Sequence, residues 1–271
     1  MVAILAYSRA DFRLCHTTGV KLKDTSLHIC LRFYQELNDF LPPDKRQVAF
    51  VHHLRQGGAI KDVIEALGVP HTEVDLILVD GRPVGFDYQV QDGDRISVYP
   101  VFESLDITPL TRLRPRPLRT TRFVLDTHLG RLAAYLRMAG FDSLYRNDYD
   151  DATLASISVT EHRILLTRDR YLLMRKIITH GYYVRHTQPR KQLREVLERF
   201  DLLGQLQPFT RCMHCNGLLE KVDKADVLER IPRETRAWLD DYWQCRQCAR
   251  VYWKGTHYRR MCALIEGLRG S

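Results

Sequence analysis

The sequence has no long apolar run. Val2–Tyr7, the longest such stretch near its start, is far below the roughly 18 residues that span a bilayer and too short for a signal-peptide core. A cytoplasmic protein with no membrane partner is therefore expected. Compositional extremes are missing too. With 45% hydrophobic and 27% charged residues, and only 15 glycines and 11 prolines in 271 positions, the chain is neither disordered nor collagen-like. Its length exceeds the usual about 100 to 200 residues of one domain, so two compact units, or one with an accessory module, are expected.

Charge balance is missing between the two halves of the chain. Residues 1–106 carry 11 basic and 15 acidic side chains, whereas residues 107–271 carry 30 and 18, so the net charge of +8 averages a −4 front and a +12 back. Such asymmetry points to two domains, the second meeting nucleic acid or another polyanion. Between Thr108 and Arg122 the sequence TPLTRLRPRPLRTTR holds three prolines and five arginines. Prolines disfavour a helix and arginine repulsion extends the chain, which makes this a linker, either a solvated connector or an arm that tracks phosphates.

Upstream, LHICLRFYQEL and QVAFVHHL are rich in branched and aromatic residues and are separated by Pro42-Pro43, as two strands would be. GAIKDVIEALGV places Ile60, Val63, Ile64 and Leu67 at helical spacing, with Gly68 as a stop. In VDLILVDGRPVGFDYQVQDGDRISVYP, Asp80-Gly81 signals a two-residue hairpin turn and Asp92-Gly93 a second turn. The order is strand, strand, helix, strand, strand. With its VDG hairpin and DGDRISVYP ending, it resembles the ubiquitin-like β-grasp of the sulfur-carrier proteins of thiamin and molybdopterin synthesis. Those carriers end in Gly-Gly, whereas here the last strand runs into Val101-Phe102-Glu103-Ser104. The resemblance thus implies the fold without the sulfur chemistry, and residues 28–104 are assigned a docking role toward a protein partner. Residues 1–27 show no usable pattern.

After the linker, strands alternate with helices: RFVLD, then LGRLAAYLRMAG with Leu129, Leu132, Ala133 and Leu136 on one face, SLYR, DDATLASISV, RILLT, RYLLMRKIITHG, YYVRH and QLREVLERFDLLG. This is the sequence form of a three-layer α/β domain with a mostly parallel sheet. Two strands run into carboxylates, Asp126 after VL and Asp169 after LLTR, and Asp148, Asp150 and Asp151 precede the helix between them. In an open parallel sheet, strand carboxyl ends share one edge, so these acids could converge there on a hard cation such as Mg2+ or Mn2+. Taken singly, each aspartate also suits an N-cap, accepting from orphan N–H groups of the helix it precedes.

The stretch FVLDTHLGRLAAYLRMAGFD, the following DDATLASIS and then RILLTRDRYLL resemble the Mut-seven C-terminal RNase domain, a PIN-like nuclease, over residues 122 to about 262. Some members of that family carry a ubiquitin-like domain in front, and a zinc ribbon usually follows the nuclease. The resemblance implies metal-dependent cleavage of RNA, with Asp126, Asp151 and Asp169 at the family's acidic positions. Asp150 competes for the middle position, with Asp151 preferred because Leu154 follows at the family's helical spacing, and Asp148 and Asp142 are candidates for a fourth acid. Phosphate contacts are assigned to Arg168 above all, then to Arg131, Arg137 and Arg170, for each of which a solvated surface position is the alternative. His128 reads as a turn residue.

Cysteine supplies the sharpest metal signal. CMHC and CRQC place Cys212, Cys215, Cys245 and Cys248 in two C-x2-C knuckles, 29 residues apart, the pattern of a closed four-thiolate structural zinc site. Cys15, Cys30 and Cys262 read as unpaired thiols. Behind the second knuckle, Tyr252, Trp253 and Tyr258 interleave with Arg250, Lys254, Arg259 and Arg260, suited either to stacking unpaired bases or to packing the ribbon. Trp238 and Trp243 read as packing residues. The expected organisation is a β-grasp domain at 28–104, a linker at 105–121, a PIN-like α/β domain at 122–208, a zinc ribbon at 209–262 and a tail at 263–271. The expected function is a Mg2+- or Mn2+-dependent ribonuclease; the alternative is a non-catalytic RNA-binding adaptor on the same scaffold.

Overall fold

The computed structural model describes residues 26–100, 113, 120–236 and 238–269. Residues 1–25 and nearly all of the Arg/Pro-rich linker lie outside them. The chain divides into two compact units, Met1–Pro117 with Asp169–Gly181, and Leu118–Arg168 with Tyr182–Ser271.

In the first unit the elements are β1 (Leu27–Phe33), β2 (Phe50–Leu54), α1 (Ile60–Ala66), β3 (Val74–Val79), β4 (Arg82–Val84) and β5 (Arg95–Pro100). The sheet order is β2-β1-β5-β3-β4. β1 runs antiparallel to β2 and parallel to β5, and α1 lies in the crossover from β2 to β3. Alternate residues Ile29, Leu31 and Phe33 of β1 are buried, as are Ile60 and Ile64 of α1. Asp80 and Gly81 both take positive φ, 48° and 81°, the demand of a type I′ hairpin turn. Two expectations change. YQEL does not extend β1; a 3-10 turn spans Gln35–Phe40, because the buried Asn38 side chain donates to Phe33 O (3.0 Å) and Gln35 O (2.9 Å). The three-residue β4 is an additional edge strand.

In the second unit β6 (Phe123–Leu125), α2 (Gly130–Met138), β7 (Ser143–Tyr145), α3 (Asp151–Thr160) and β8 (Ile164–Thr167) follow the expected alternation. After β8 the chain passes through α4 (Arg170–Leu173), which belongs to the first unit, and continues with β9 (Gly181–Tyr183) and α5 (Pro189–Arg199). The sheet order is β7-β6-β8-β9, and β6 is parallel to both β7 and β8. Leu132, Ala133 and Leu136 of α2 and Leu193, Val196 and Leu197 of α5 enclose one core with Phe123, Leu125 and Leu166 of the sheet. RYLLMRKIITHG does not form one helix. α4 ends at Leu173, and the chain continues in turns closed by Arg175 N–H to Leu172 O and Ile178 N–H to Arg175 O.

The ribbon contains β10 (Leu219–Val222), α6 (Lys224–Val227), α7 (Arg233–Arg236), β11 (Tyr242–Cys245) and β12 (Val251–Trp253), its sheet ordered β10-β11-β12. α8 (Thr256–Arg269) follows, so residues 263–269 continue a helix and are not a tail. Its Ile265 and Leu268 are buried in the α/β core, which explains where the helix runs. No helix among the described residues is long and apolar enough to cross a membrane.

Candidate functional site

The two knuckles are the same local structure built twice. Cys212 N–H donates to Gly217 O and Cys245 N–H to Arg250 O; Asn216 N–H returns to Cys212 O and Ala249 N–H to Cys245 O. Asn216 and Ala249 accordingly share positive φ, 75° and 57°. The four sulfurs all lie within 4.8 Å of one another, with Cys215–Cys245 at 3.3 Å and Cys212–Cys248 at 3.6 Å. A tetrahedral ion with Zn–S bonds of about 2.3 Å places its sulfurs about 3.8 Å apart, so this donor set fits a thiophilic ion such as zinc. A side chain at Gly217 would come within 2.8 Å of Cys245 Sγ, so the knuckle needs glycine there.

Second-sphere contacts favour the thiolate at Cys212, whereas burial and neighbouring sulfurs push the Cys215 and Cys248 thiols up. Tyr252 Oη lies 3.0 Å from Cys212 Sγ. Burial opposes ionisation of Cys212, but hydrogen bonds from Tyr252 and the knuckle backbone bring its thiol down to about 7. Burial and the adjacent sulfur push the Tyr252 phenol well up, which keeps it a donor. Tyr252 therefore serves the cysteine site, Trp253 packs beside Val227, Ile231 and Tyr242, and Tyr258 lies 4.6 Å from Phe209, so all three have packing contacts. Trp238, expected to pack, follows α7 and is 85% exposed. Trp243 instead lies under Lys254 Nζ, 5.2 Å from its ring centroid.

The ribbon is fastened to the α/β sheet by residues expected elsewhere. Arg137 is not a phosphate contact on a surface; it is 3% exposed, because its guanidinium is drawn inward by three carbonyls, donating to Ser143 O (2.8 Å), His214 O (2.7 Å) and Met213 O (3.2 Å). Asp142 accepts from Arg163 (2.7 Å) and from Asn216 Nδ2 (2.8 Å), while Asn216 Oδ1 accepts from Ser143 N–H (3.0 Å). Burial raises the Asp142 carboxyl, and the bonds from Arg163 and Asn216 outweigh it and hold it below the usual carboxylate range.

The carboxylates are dispersed among caps. Asp126 follows β6 and is 6% exposed. Its Oδ1 accepts from Thr127 N–H (2.5 Å) and Oγ1 (3.1 Å), and its Oδ2 from Thr167 Oγ1 (2.5 Å) at the end of β8. A carboxylate has about four lone-pair sites, so three donors leave one acceptor position, enough for one cation contact. Asp150 caps α3, accepting from Thr153 N–H (2.7 Å), and leaves Asp151 exposed at the first helical position. Asp169 caps α4, accepting from Tyr171 N–H (2.8 Å). Asp148 is paired with Arg146 at 2.7 and 2.8 Å, and this bond lowers its carboxyl. Among the described residues, the cysteines alone form a group of three or more His, Cys, Asp or Glu ligands gathered within 4.8 Å; no carboxylate set does.

The remaining arginines divide. Arg168 Nη1 donates to Val184 O, Arg185 O and His186 O at 2.8, 2.6 and 2.8 Å, a structural duty. Arg131 is exposed on α2, and Arg170 lies over the Tyr171 ring, 5.0 Å from its centroid. His128 lies in the 3-10 turn Thr127–Leu129. Cys30, read as unpaired, is disulfide-bonded, whereas Cys262 is a free thiol. Sequence reasoning missed Thr167 and Asn216, whose sole signals were a hydroxyl one residue short of RD and an Asn-Gly after the first knuckle.

Together these features define a two-unit protein: a β-grasp unit, and a parallel-sheet α/β unit bolted to a four-cysteine ribbon. Residues 121–265, over half the chain, match the Mut7-C RNAse domain, and residues 26–106 match the Mut7-C ubiquitin domain. The chain belongs to the Mut7-C RNAse domain family. No curated protein and no solved structure matches it.

Proposed function

We propose that the protein is a ribonuclease that hydrolyses RNA phosphodiester bonds with Mg2+ or Mn2+, using Asp126, Asp151 and Asp169, and that zinc on Cys212, Cys215, Cys245 and Cys248 is structural. Membership of an RNAse family is joined by one observation that carries the reading. Asp126, at the carboxyl end of a central parallel strand, is fixed by Thr127 and Thr167 yet keeps one acceptor position. Small hard cations take one or two carboxylates and retain water, so a hard-oxygen donor such as Asp126 fits them without a closed protein cage. A bound cation would supply an activated water and charge neutralisation at the phosphorus.

The chain's own part is to orient these carboxylates. Thr167 fixes the Asp126 side chain, and Asp150 takes the capping bond of α3 and spares Asp151 that duty. Arg131, exposed on the helix after Asp126, is the second unit's phosphate contact in this reading. The closed thiolate site has no open position for catalysis. RNA is the substrate partner in this reading. The test is cleavage of single-stranded and structured RNA by the zinc-loaded chain with added Mg2+ or Mn2+, repeated with Asp126→Asn, Asp151→Asn and Asp169→Asn. Loss of about 100-fold or more in each variant is expected. Binding of RNA without cleavage under either ion would favour the adaptor instead.

A further inference from the structure

Within the first unit, His71 makes a contact that no motif announced. It lies in the turn between α1 and β3, is 8% exposed, and has its ring edge toward Phe86. Nδ1 is 2.6 Å from Glu65 Oε1, and Nε2 is 2.9 Å from the backbone oxygen of Ile178, 107 residues away. Both partners are acceptors. The ring therefore bridges the carboxylate and the carbonyl through its two nitrogens. Glu65 thereby aims the ring, and the ring grips a carbonyl. The other end of the same segment reaches the turn after α1: a side chain at Gly68, whose φ is +92°, would come within 3.0 Å of Arg170 Nη1.

The segment so held has two affiliations. Residues 121–265 match the RNAse domain, yet Asp169–Gly181 is part of the compact unit formed with the ubiquitin-like domain. We propose that the surface of the β-grasp domain formed by Glu65, Gly68 and His71 has this segment of its own chain as its partner, with His71 as the positioning residue. The ubiquitin-like domain then sets the conformation of α4 and of Asp169, which caps it. The consequence for cleavage rests on the nuclease reading; the grip itself does not.

Hydrogen exchange of the full, zinc-loaded chain tests this. The amides of Met174, Arg175 and Ile178 close the turns of the segment and report its order. His71→Phe keeps a ring beside Phe86 but has no donor; it is expected to speed exchange at these amides about tenfold while β3 and β5 exchange as in the wild type. His71→Gln keeps an N–H donor and should recover most of the protection. In RNA cleavage, His71→Phe should lower kcat with KM unchanged, and His71→Gln should lie between. Unchanged exchange in His71→Phe, or equal acceleration across β3 and β5, overturns the proposal, as does a rise in KM alone. A wild-type chain that cleaves no RNA would remove the nuclease reading and leave the exchange result to decide the grip.

Discussion

The four thiols of the ribbon lie within 4.8 Å of one another, whereas the carboxylates after β6 and before α3 are engaged, one by one, in their own neighbourhoods. The contrast follows from how each set is encoded. A C-x2-C knuckle is a local turn whose backbone bonds aim both sulfurs the same way, and two copies need only one strand pairing, Leu219 opposite Cys245, to face each other. A carboxylate at a strand end depends on which strands become neighbours and also doubles as a helix cap. Closely spaced soft ligands therefore mark an ion site by themselves, while dispersed acids could do so only through the fold around them.

Removing the ion should have the largest effect. Structural zinc in small modules contributes apparent binding energies of about 10–16 kcal/mol, and the ribbon's own core is small, centred on Val227, Ile231 and Tyr242. Cys212→Ser with Cys245→Ser, or a strong chelator, is expected to release one zinc per chain and unfold β10–β12, seen by metal analysis and near-UV circular dichroism. Thiols must lose protons to bind, so retention should weaken as pH falls. If the ribbon stays folded and metal-free, the cysteines have another role and the contrast with the carboxylates breaks.

The junction comes next. Arg137→Ala would strand the carbonyls of Ser143, Met213 and His214, and a loss of about 2 to 4 kcal/mol in denaturant unfolding is expected. Arg137→Lys should not restore it, because a single ammonium cannot reproduce the guanidinium fork. Near wild-type stability for Arg137→Ala would show that the ribbon is held by its apolar contacts alone.

The smallest effect sharpens the carboxylate side. Asp150→Ala removes an N-cap and should cost about 1 kcal/mol with cleavage largely retained. Asp151→Ala should cost little stability and lose cleavage. The reverse pattern would assign the chemistry to Asp150, the competitor that sequence spacing left open.

What could be read ahead of the structure follows the same division. The knuckles, the α2 face of Leu132, Ala133 and Leu136, and the Asp80-Gly81 turn are local patterns, and the structure keeps them. Features set by distant contacts were illegible. Arg137 has the look of a solvated helix residue until Met213 and His214 arrive beside it, and Ile265 and Leu268 resemble a tail until the α/β core covers them. The helix expected over RYLLMRKIITHG stops early, in the segment whose Ile178 carbonyl meets His71. Trp238 fails in the opposite sense, since a large apolar residue predicts burial by composition but not by place.

In the proposed function the thiolates hold the fold and the carboxylates do the chemistry. Its most direct test is a single comparison of wild type and Asp126→Asn, measuring RNA cleavage under Mg2+ or Mn2+ alongside zinc content and unfolding midpoint. The expected result is cleavage lost by about 100-fold or more with one zinc retained and only a small stability change, since Asn keeps Oδ1 as an acceptor for Thr127 and the Thr167 hydroxyl can turn to accept. Full cleavage by Asp126→Asn, with zinc and fold intact, would contradict it.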